Sequence, residues 1–416
     1  MINISQQDRE ILKRLAEKKA GIAALPVQKE RKKLWTRLNR LEPVKPMVWL
    51  NEVPWNEIDS DELKLRTSSD FCRSIEKTLR RELYQWEHMQ GDMVVEPEIL
   101  SPLAISDSGF GITEDVDAIK LDPSSYVQSR HFKIQIRDEA DIPKIKDPVI
   151  THDAARSEEA YRALSEIFAG ILPVRKTGLR GLWFAPWDEL IRWTGVEEAL
   201  TDMALRPEYV HALVSRLLGA YQKMLDQYEA LGLLSLNNKN VRIGSGAYGY
   251  SDELPRDGFD PALVRTSDLW GCATAQIFSE VSPEMHWEFA LQYEVRWMER
   301  FGLNYYGCCE PLHNKLGILE RVPRLRKISV STWMNVSKAV SEAGGKYVFS
   351  LKPNPACLAE DTWRPDLARA ELETKLAAMQ GCPVEIIMKD ISTFRYDPKR
   401  LWEWAKIAMD TTGKYS

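Results

Sequence analysis

Nothing in this chain offers a membrane or a nucleic acid a foothold. Nowhere do about 18 uncharged apolar residues run together, and the opening Met1-Ile2-Asn3-Ile4-Ser5-Gln6-Gln7-Asp8 lacks a basic stretch followed by an apolar one. With 56 lysines and arginines against 61 acids, the net charge of −5 attracts neither polyphosphate nor an anionic lipid surface. These absences predict a cytoplasmic protein. Cysteine is scarce as well: six, at 72, 272, 308, 309, 357 and 382, spread over 416 residues, which reads as reduced thiols and not as a disulfide framework. No Gly-x-Ser-x-Gly elbow marks a serine hydrolase. The run Gly244-Ser245-Gly246-Ala247-Tyr248-Gly249 has the glycine spacing of a dinucleotide loop but no helix directly after it, and is read as a turn-rich loop.

What is present is unevenly placed. Two of the six cysteines are adjacent, in Tyr305-Tyr306-Gly307-Cys308-Cys309-Glu310-Pro311. Thiolates with a nearby carboxylate are zinc-type donors, and adjacent cysteines close only a strained disulfide ring, so this run is the candidate metal site. Fourteen tryptophans are many for this length. Trp49, Trp55, Trp183, Trp187, Trp270 and Trp333 stand beside turn residues and are candidate pocket walls, whereas Trp287, Trp297, Trp402 and Trp404 have the helical spacing of core residues.

Residues 1–45 carry apolar residues at helical spacing among charges and end at Pro43 and Pro46, the pattern of a helical N-terminal extension. From Met47 short β-branched runs (47–50, 93–95) alternate with amphipathic stretches (69–88, 206–231), which predicts a parallel sheet or α/β barrel over residues 46–416. Segment 108–150 breaks that rhythm as an excursion with strands of its own, including His131-Phe132-Lys133-Ile134. Ser282 as N-cap and Pro283 in the first turn open a helix expected to run to Phe301. Strands are expected at 303–307, 327–330, 347–351 and 384–388. In a barrel their ends would bring Cys308 to Glu310, Ser331 to Trp333, Lys352 to Cys357, and Lys389-Asp390 to one mouth.

The Ser282-to-Phe289 stretch, the strand ending in Cys308, the Lys352-Pro353-Asn354-Pro355 turn and the last strand before Asp397-Pro398 together resemble the uroporphyrinogen decarboxylase superfamily. That resemblance implies a (β/α)8 TIM barrel and either a porphyrin decarboxylase or a zinc-dependent, corrinoid-linked methyltransferase. The decarboxylases carry an Arg-Gln-Ala-Gly-Arg motif after the first strand; here the place reads Trp49-Leu50-Asn51-Glu52-Val53-Pro54-Trp55, which has no arginine to clamp a polycarboxylate. On the methyltransferase side Cys308 matches the first zinc thiol, while Tyr306 and Asp390 stand where a histidine and a second cysteine are usual. By analogy with methyl-ether demethylases of the same kind, the resemblance implies zinc held by Glu280, Cys308 and Cys357. Strand parity puts Cys308 on the same side as Tyr306 and turns Cys309 the other way, into the helix layer. Zinc so held would polarise an ether oxygen for methyl transfer to Co(I). No Asp-x-His-x-x-Gly motif is present, so the corrinoid would arrive on a separate protein.

Cys308, Lys389 and Asp390 are then the expected catalytic groups. Trp49, Asn51, Trp55, Asp268, Trp270, Lys352 and Asn354 are the expected substrate contacts, Asp268 and Trp270 at the end of a strand and Lys352 and Asn354 facing an anionic group such as a benzoate carboxylate. His313 reads as a helix-start residue, and Asp107-Ser108-Gly109 as a loop near the pocket. The resemblance further implies a homodimer. A methylamine or betaine donor, a decarboxylase or lyase of the same superfamily, and a non-catalytic binding member are the other readings.

Overall fold

The computed structural model describes residue 2 and residues 4–119 and 129–415. Eight strands, spaced along the chain with helices between them and with four short antiparallel strands between the second and third, pair in parallel in two separate sheets: β1 (Met47–Leu50), β2 (Ile99–Pro102), β3 (Val174–Thr177), β4 (Trp270–Ala273), β5 (Leu303–Tyr306), β6 (Leu325–Val330), β7 (Val348–Leu351) and β8 (Val384–Met388). Six form one sheet in the order β1-β8-β7-β6-β5-β4, and β2 pairs with β3. The α/β class expected from the alternation is thus present. An unbroken eight-strand ladder is not seen among the described residues. The free edge of β1 is capped instead by Asp92, whose carboxylate accepts from the Val48 amide at 2.8 Å while its own amide donates to the Val48 carbonyl at 2.7 Å. A single parallel bridge, Phe184 to Ala273, joins the chain beyond β3 to β4.

Strand parity sorts the core into two layers. Val48, Leu50, Ile328, Val330, Phe349, Leu351, Ile386 and Met388 face the helices. Met47, Trp49, Val348 and Ile387, with Trp270, Cys272, Leu303 and Tyr305, face the opposite, concave side. Both faces of the sheet are buried, as a parallel sheet requires.

The helices fall close to their expected positions: Asp70–Met89 (α3) and Pro207–Ala230 follow the sequence pattern. Ser282 caps as predicted, accepting from the Met285 amide at 3.2 Å, but one π turn, Trp287–Leu291, interrupts that helix, which ends at Met298. The run Met93-Val94-Val95 is no strand; it is buried loop packed against Trp35, and the second strand begins at Ile99. The 108–150 excursion holds a hairpin, Val116–Ile119 with Ser129–Phe132, so its predicted strand begins two residues early; residues 120–128 lie outside the described residues.

The N-terminal segment forms helices α1 (Gln6–Ala23) and α2 (Pro26–Asn39). Through α2 it seals the N-terminal ends of the strands: Trp35 donates to the Asp92 carbonyl, and the Asn39 amide donates to the carbonyls of Tyr248 and Tyr250. No helix among the described residues is long and apolar enough to cross a membrane.

Candidate active site

The concave side of the sheet is polar beneath its rim, which the apolar appearance of the strands hides. Alternate residues of β6, β7 and β8 place Lys327, Ser329, Ser350 and Glu385 inward, all fully buried. Lys327 Nζ donates to Glu385 Oε2 at 2.8 Å and to the Tyr248 carbonyl at 3.0 Å, and Ser350 donates to Glu385 Oε1 at 2.6 Å. A buried ammonium and carboxylate are tolerable only when their remaining donors and acceptors are filled in this way.

The filling comes from the glycine loop. Residues 244–248 enter the concavity, where the Ala247 amide donates to Glu385 Oε1 at 3.0 Å and Ser245 Oγ shares a hydrogen bond with Tyr305 Oη at 2.9 Å. Only glycine fits there. Gly244 has φ +56, and a Cβ on it would lie 2.4 Å from the Tyr305 ring; a Cβ on Gly246 would lie 2.7 Å from Glu385 Oε1. The loop is therefore an interior plug, which explains its spacing without any nucleotide.

Above this layer, at the C-terminal ends of the strands, stand Cys308, Lys352, Lys389 and Glu52. Gly307, with φ +94, breaks the alternation of β5, so the side of Cys308 does not follow from counting back to Tyr306. Tyr305 faces the concavity, receiving a hydrogen bond from Lys352 Nζ at 3.0 Å, whereas Tyr306 faces the helices between His286 (2.6 Å) and Glu294 (2.7 Å). The expected shared side of Cys308 and Tyr306 is thus corrected: Cys308 feels the charges of Lys389 and Lys352, and Lys352 is the group that bonds Tyr305. Its main chain is fixed at both ends, the amide donating to Glu310 Oε2 at 2.9 Å and the carbonyl accepting from Ser329 Oγ at 2.5 Å. Glu310 is itself fully buried, its pKa raised by burial, and also accepts from Thr274 Oγ1 at 2.9 Å.

Cys309 is exposed and does not pack in the helix layer; its Sγ lies 3.6 Å from Cys308 Sγ. A hydrogen bond from that thiol is the largest influence on Cys308, and with Lys389 and Lys352 it brings the Cys308 pKa down from 9.0 to about 7 against the opposing effect of burial; Cys309 is correspondingly raised. Burial lowers Lys352 to about 8. Burial also works against the charge on Lys389, but Cys308, Glu52 and Asp390 outweigh it and the ammonium ends above its ordinary value. Lys389 Nζ donates to Asp390 Oδ2 at 2.6 Å and lies 3.8 Å from Glu52 Oε2, and Glu52 accepts from Arg242 at 2.6 Å. Glu52 and Asp390 both hold left-handed backbone, φ +54 and +56, and the Asp390 amide donates to Glu52. Two strained carboxylate residues facing each other across β1 and β8 is an arrangement that functional rims favour. The site is thus a thiol that ionises near neutral pH under the charges of Lys389 and Lys352, a soft nucleophile.

The other expected residues divide. Trp49 and Trp55 line a cavity beside this rim, and Asn51 joins β1 to β8 through its amide on the Met388 carbonyl. Asp268 and Trp270 stand at the start of β4, not its end: Asp268 accepts from the amides of Arg265 and Arg256, and the Trp270 indole donates to the Gly249 carbonyl. Asn354 is exposed and caps the Ala356 amide. His313 accepts from the Asn335 amide, and Asp107 from that of Gly109.

The expected zinc set is not assembled. Among the described residues no three His, Cys, Asp or Glu side chains gather as metal donors. Glu280 is exposed, and Cys357 sits in the helix Ala356–Ala359 with its thiol pushed up to about 12 by burial.

Sequence reasoning missed Glu52, Tyr305, Ser329, Lys327 and Glu385; the available signal was polar residues two apart, Lys327 with Ser329 and Ser350 with Lys352, on otherwise apolar strands. No family model and no curated protein matches the chain. It is similar in structure to a methyltransferase from Methanosarcina mazei, with 12% identity over 93% of this chain and 99% of that one and a TM-score of 0.47, a likeness too slight to speak for activity.

Proposed function

We propose that this chain is a methyltransferase, a (β/α)8 barrel with β1 to β8 as its wall, that takes a methyl group from a small methoxylated aromatic and delivers it to Co(I) of a separate corrinoid protein. Cys308 is the group that receives the methyl. The observation that supports this reading is the Cys308 thiol, with a pKa near 7, at the end of β5 under the influence of Lys352 and Lys389. Thiolate sulfur is a soft nucleophile suited to displacement at a methyl carbon.

In the first step Sγ attacks the methyl carbon in line with its bond to oxygen. The sulfur lone pair forms the S–C bond, the C–O pair leaves with oxygen, and Lys389 gives that oxygen the proton that makes it a phenol, regaining one from water. In the second step the methyl departs and the C–S pair stays on sulfur, where the ammonium groups stabilise the returning thiolate. The corrinoid supplies the nucleophile strong enough to draw a methyl from sulfur. Glu52 and Asp390 keep Lys389 charged and in place, and Glu310 holds the main chain beneath the thiol.

Mass spectrometry after incubation with para-methoxybenzoate and related methoxyarenes tests the first step. The expected result is one methyl on the Cys308 peptide, removed by added Co(I) cobalamin with formation of methylcobalamin, and neither event in Cys308→Ser. Methylcobalamin formed without any Cys308 methylation, or stoichiometric zinc that Cys308→Ser loses, would overturn the thiolate mechanism.

A further inference from the structure

Arg242, the partner of Glu52 at the rim, also lines a cavity of about 1040 Å³ walled by Trp49, Trp55, Tyr248, α3, β2 and β3. Its charges do not balance. Each acid on the wall already has a cation: Glu82 with Lys19 at 2.9 Å, Glu96 with Lys32 at 2.5 Å, Glu98 with Arg175 at 2.8 Å. Two guanidinium groups, and the Lys239 ammonium, are left over. Arg180, half-buried, lines this cavity and a smaller adjoining one that reaches Cys272, makes no hydrogen bond or ion pair among the described residues, and feels at longer range only the charge of Glu98, which Arg175 already pairs. Arg81 has neither as well; its guanidinium lies 5.1 Å over the Trp55 ring, which makes a flat cationic wall. Both are partly withdrawn from water, and burial lowers the pKa of each. A guanidinium withdrawn from water without acceptors is costly unless a ligand supplies them.

We infer that this cavity is the binding site for an aromatic monocarboxylate, its ring against Trp49 and Trp55 and its carboxylate on Arg180, with Arg81 as the second cation. The planar fork of arginine accepts a carboxylate bidentately. The flat Trp49 and Trp55 walls and the planar guanidinium fork suit a planar carboxylate better than a tetrahedral phosphate. This deepens the proposed function, on which it rests for the methoxy group alone, and it moves the anion's partner from Lys352 and Asn354, one held by Tyr305 and Ser329 and the other an exposed cap.

Titration of the whole protein with para-methoxybenzoate and its neutral isostere para-methoxybenzamide, followed by tryptophan fluorescence and calorimetry without corrinoid, tests the site. The acid is expected to bind about tenfold tighter than the amide or more. In Arg180→Gln the acid falls to the affinity of the amide while the amide is unchanged, and Arg180→Lys recovers part of the difference. Phenyl phosphate binds more weakly than the benzoate. Equal affinity for acid and amide in the wild type, wild-type affinity for the acid in Arg180→Gln, or tighter binding of phenyl phosphate would each overturn the assignment. Repeated in Cys308→Ser, which has no thiol to accept a methyl at that position, the titration reads binding alone, so its failure leaves Cys308 methylation untouched, and the reverse also holds.

Discussion

Replacing Cys309 with alanine removes a thiol 3.6 Å from Cys308 Sγ and with it the largest influence holding Cys308 ionised near neutral pH. The drop from 9.0 to about 7 corresponds to about 3 kcal/mol between the two protonation states. A hydrogen bond to a charged group contributes about 1.5–3 kcal/mol, so its loss is expected to return the midpoint by about one to two units. At pH 7 the ionised fraction then falls from about a half to between about a tenth and a hundredth. Any step that uses the thiolate slows about five- to fiftyfold. Cys309→Ser keeps a donor in place and is expected to stay within about threefold of wild type. The assay is the ultraviolet absorbance of the thiolate across pH, with Cys308→Ser as the blank that subtracts the other cysteines. The signal is present above the folded midpoint and disappears as pH falls through about 7. A wild-type midpoint near 9, or a Cys309→Ala midpoint that stays put while Lys389→Met moves it by more than a unit, would refute the assignment of the charge to the thiol pair.

Glu385→Ala strands the Lys327 ammonium in the interior and is expected to lower unfolding free energy by about 3–5 kcal/mol in denaturant titration; Lys327→Met with Glu385→Leu together should recover much of it. Gly244→Ala forces a Cβ against the Tyr305 ring from left-handed backbone and is expected to destabilise by about 1–3 kcal/mol, read in the same titration, whereas Gly413→Ala, in open space, is expected to be neutral. Burial raises Glu294 from 4.5 to about 8. A carboxyl so raised contributes stability that is complete below its unfolded value and is lost as pH rises through about 8. Glu294→Gln is therefore expected to flatten the fall of thermal midpoint between pH 5 and 8, by about 1.4 kcal/mol per pH unit at most, and an unchanged slope would show that Glu294 is not the group responsible.

Strand positions were legible where apolar runs were short and bounded: β1 and β8 agree residue for residue with the pattern, and β5 to β7 differ from it by at most two residues at an end. Met93-Val94-Val95 deceived because a buried loop and a buried strand share one composition; what distinguishes them is the Asp92 cap on β1, a contact between distant residues. The candidate centre at Cys308 was legible from composition, its neighbours less so. Counting parity through Gly307 failed because a left-handed residue resets the side of everything after it. Asp268 was misplaced by a strand's length because a turn before a strand and a turn after one draw on the same residues. The unpaired arginines could not be read at all, since being unpaired is a property of the surroundings and not of the residue.

The glycine plug also bears on the order in which the chain becomes native. Ser245 waits for Tyr305, 60 residues on, Ala247 for Glu385, 138 residues on, and Tyr248 for Asn39, 209 residues back. Contacts so distant in sequence form late, after loop closure has been overcome. Until the plug seats, Lys327 and Glu385 keep their water, so the strands can associate as a hydrated sheet first and dry their interior last. Substitutions in the plug should accordingly quicken unfolding far more than they slow folding.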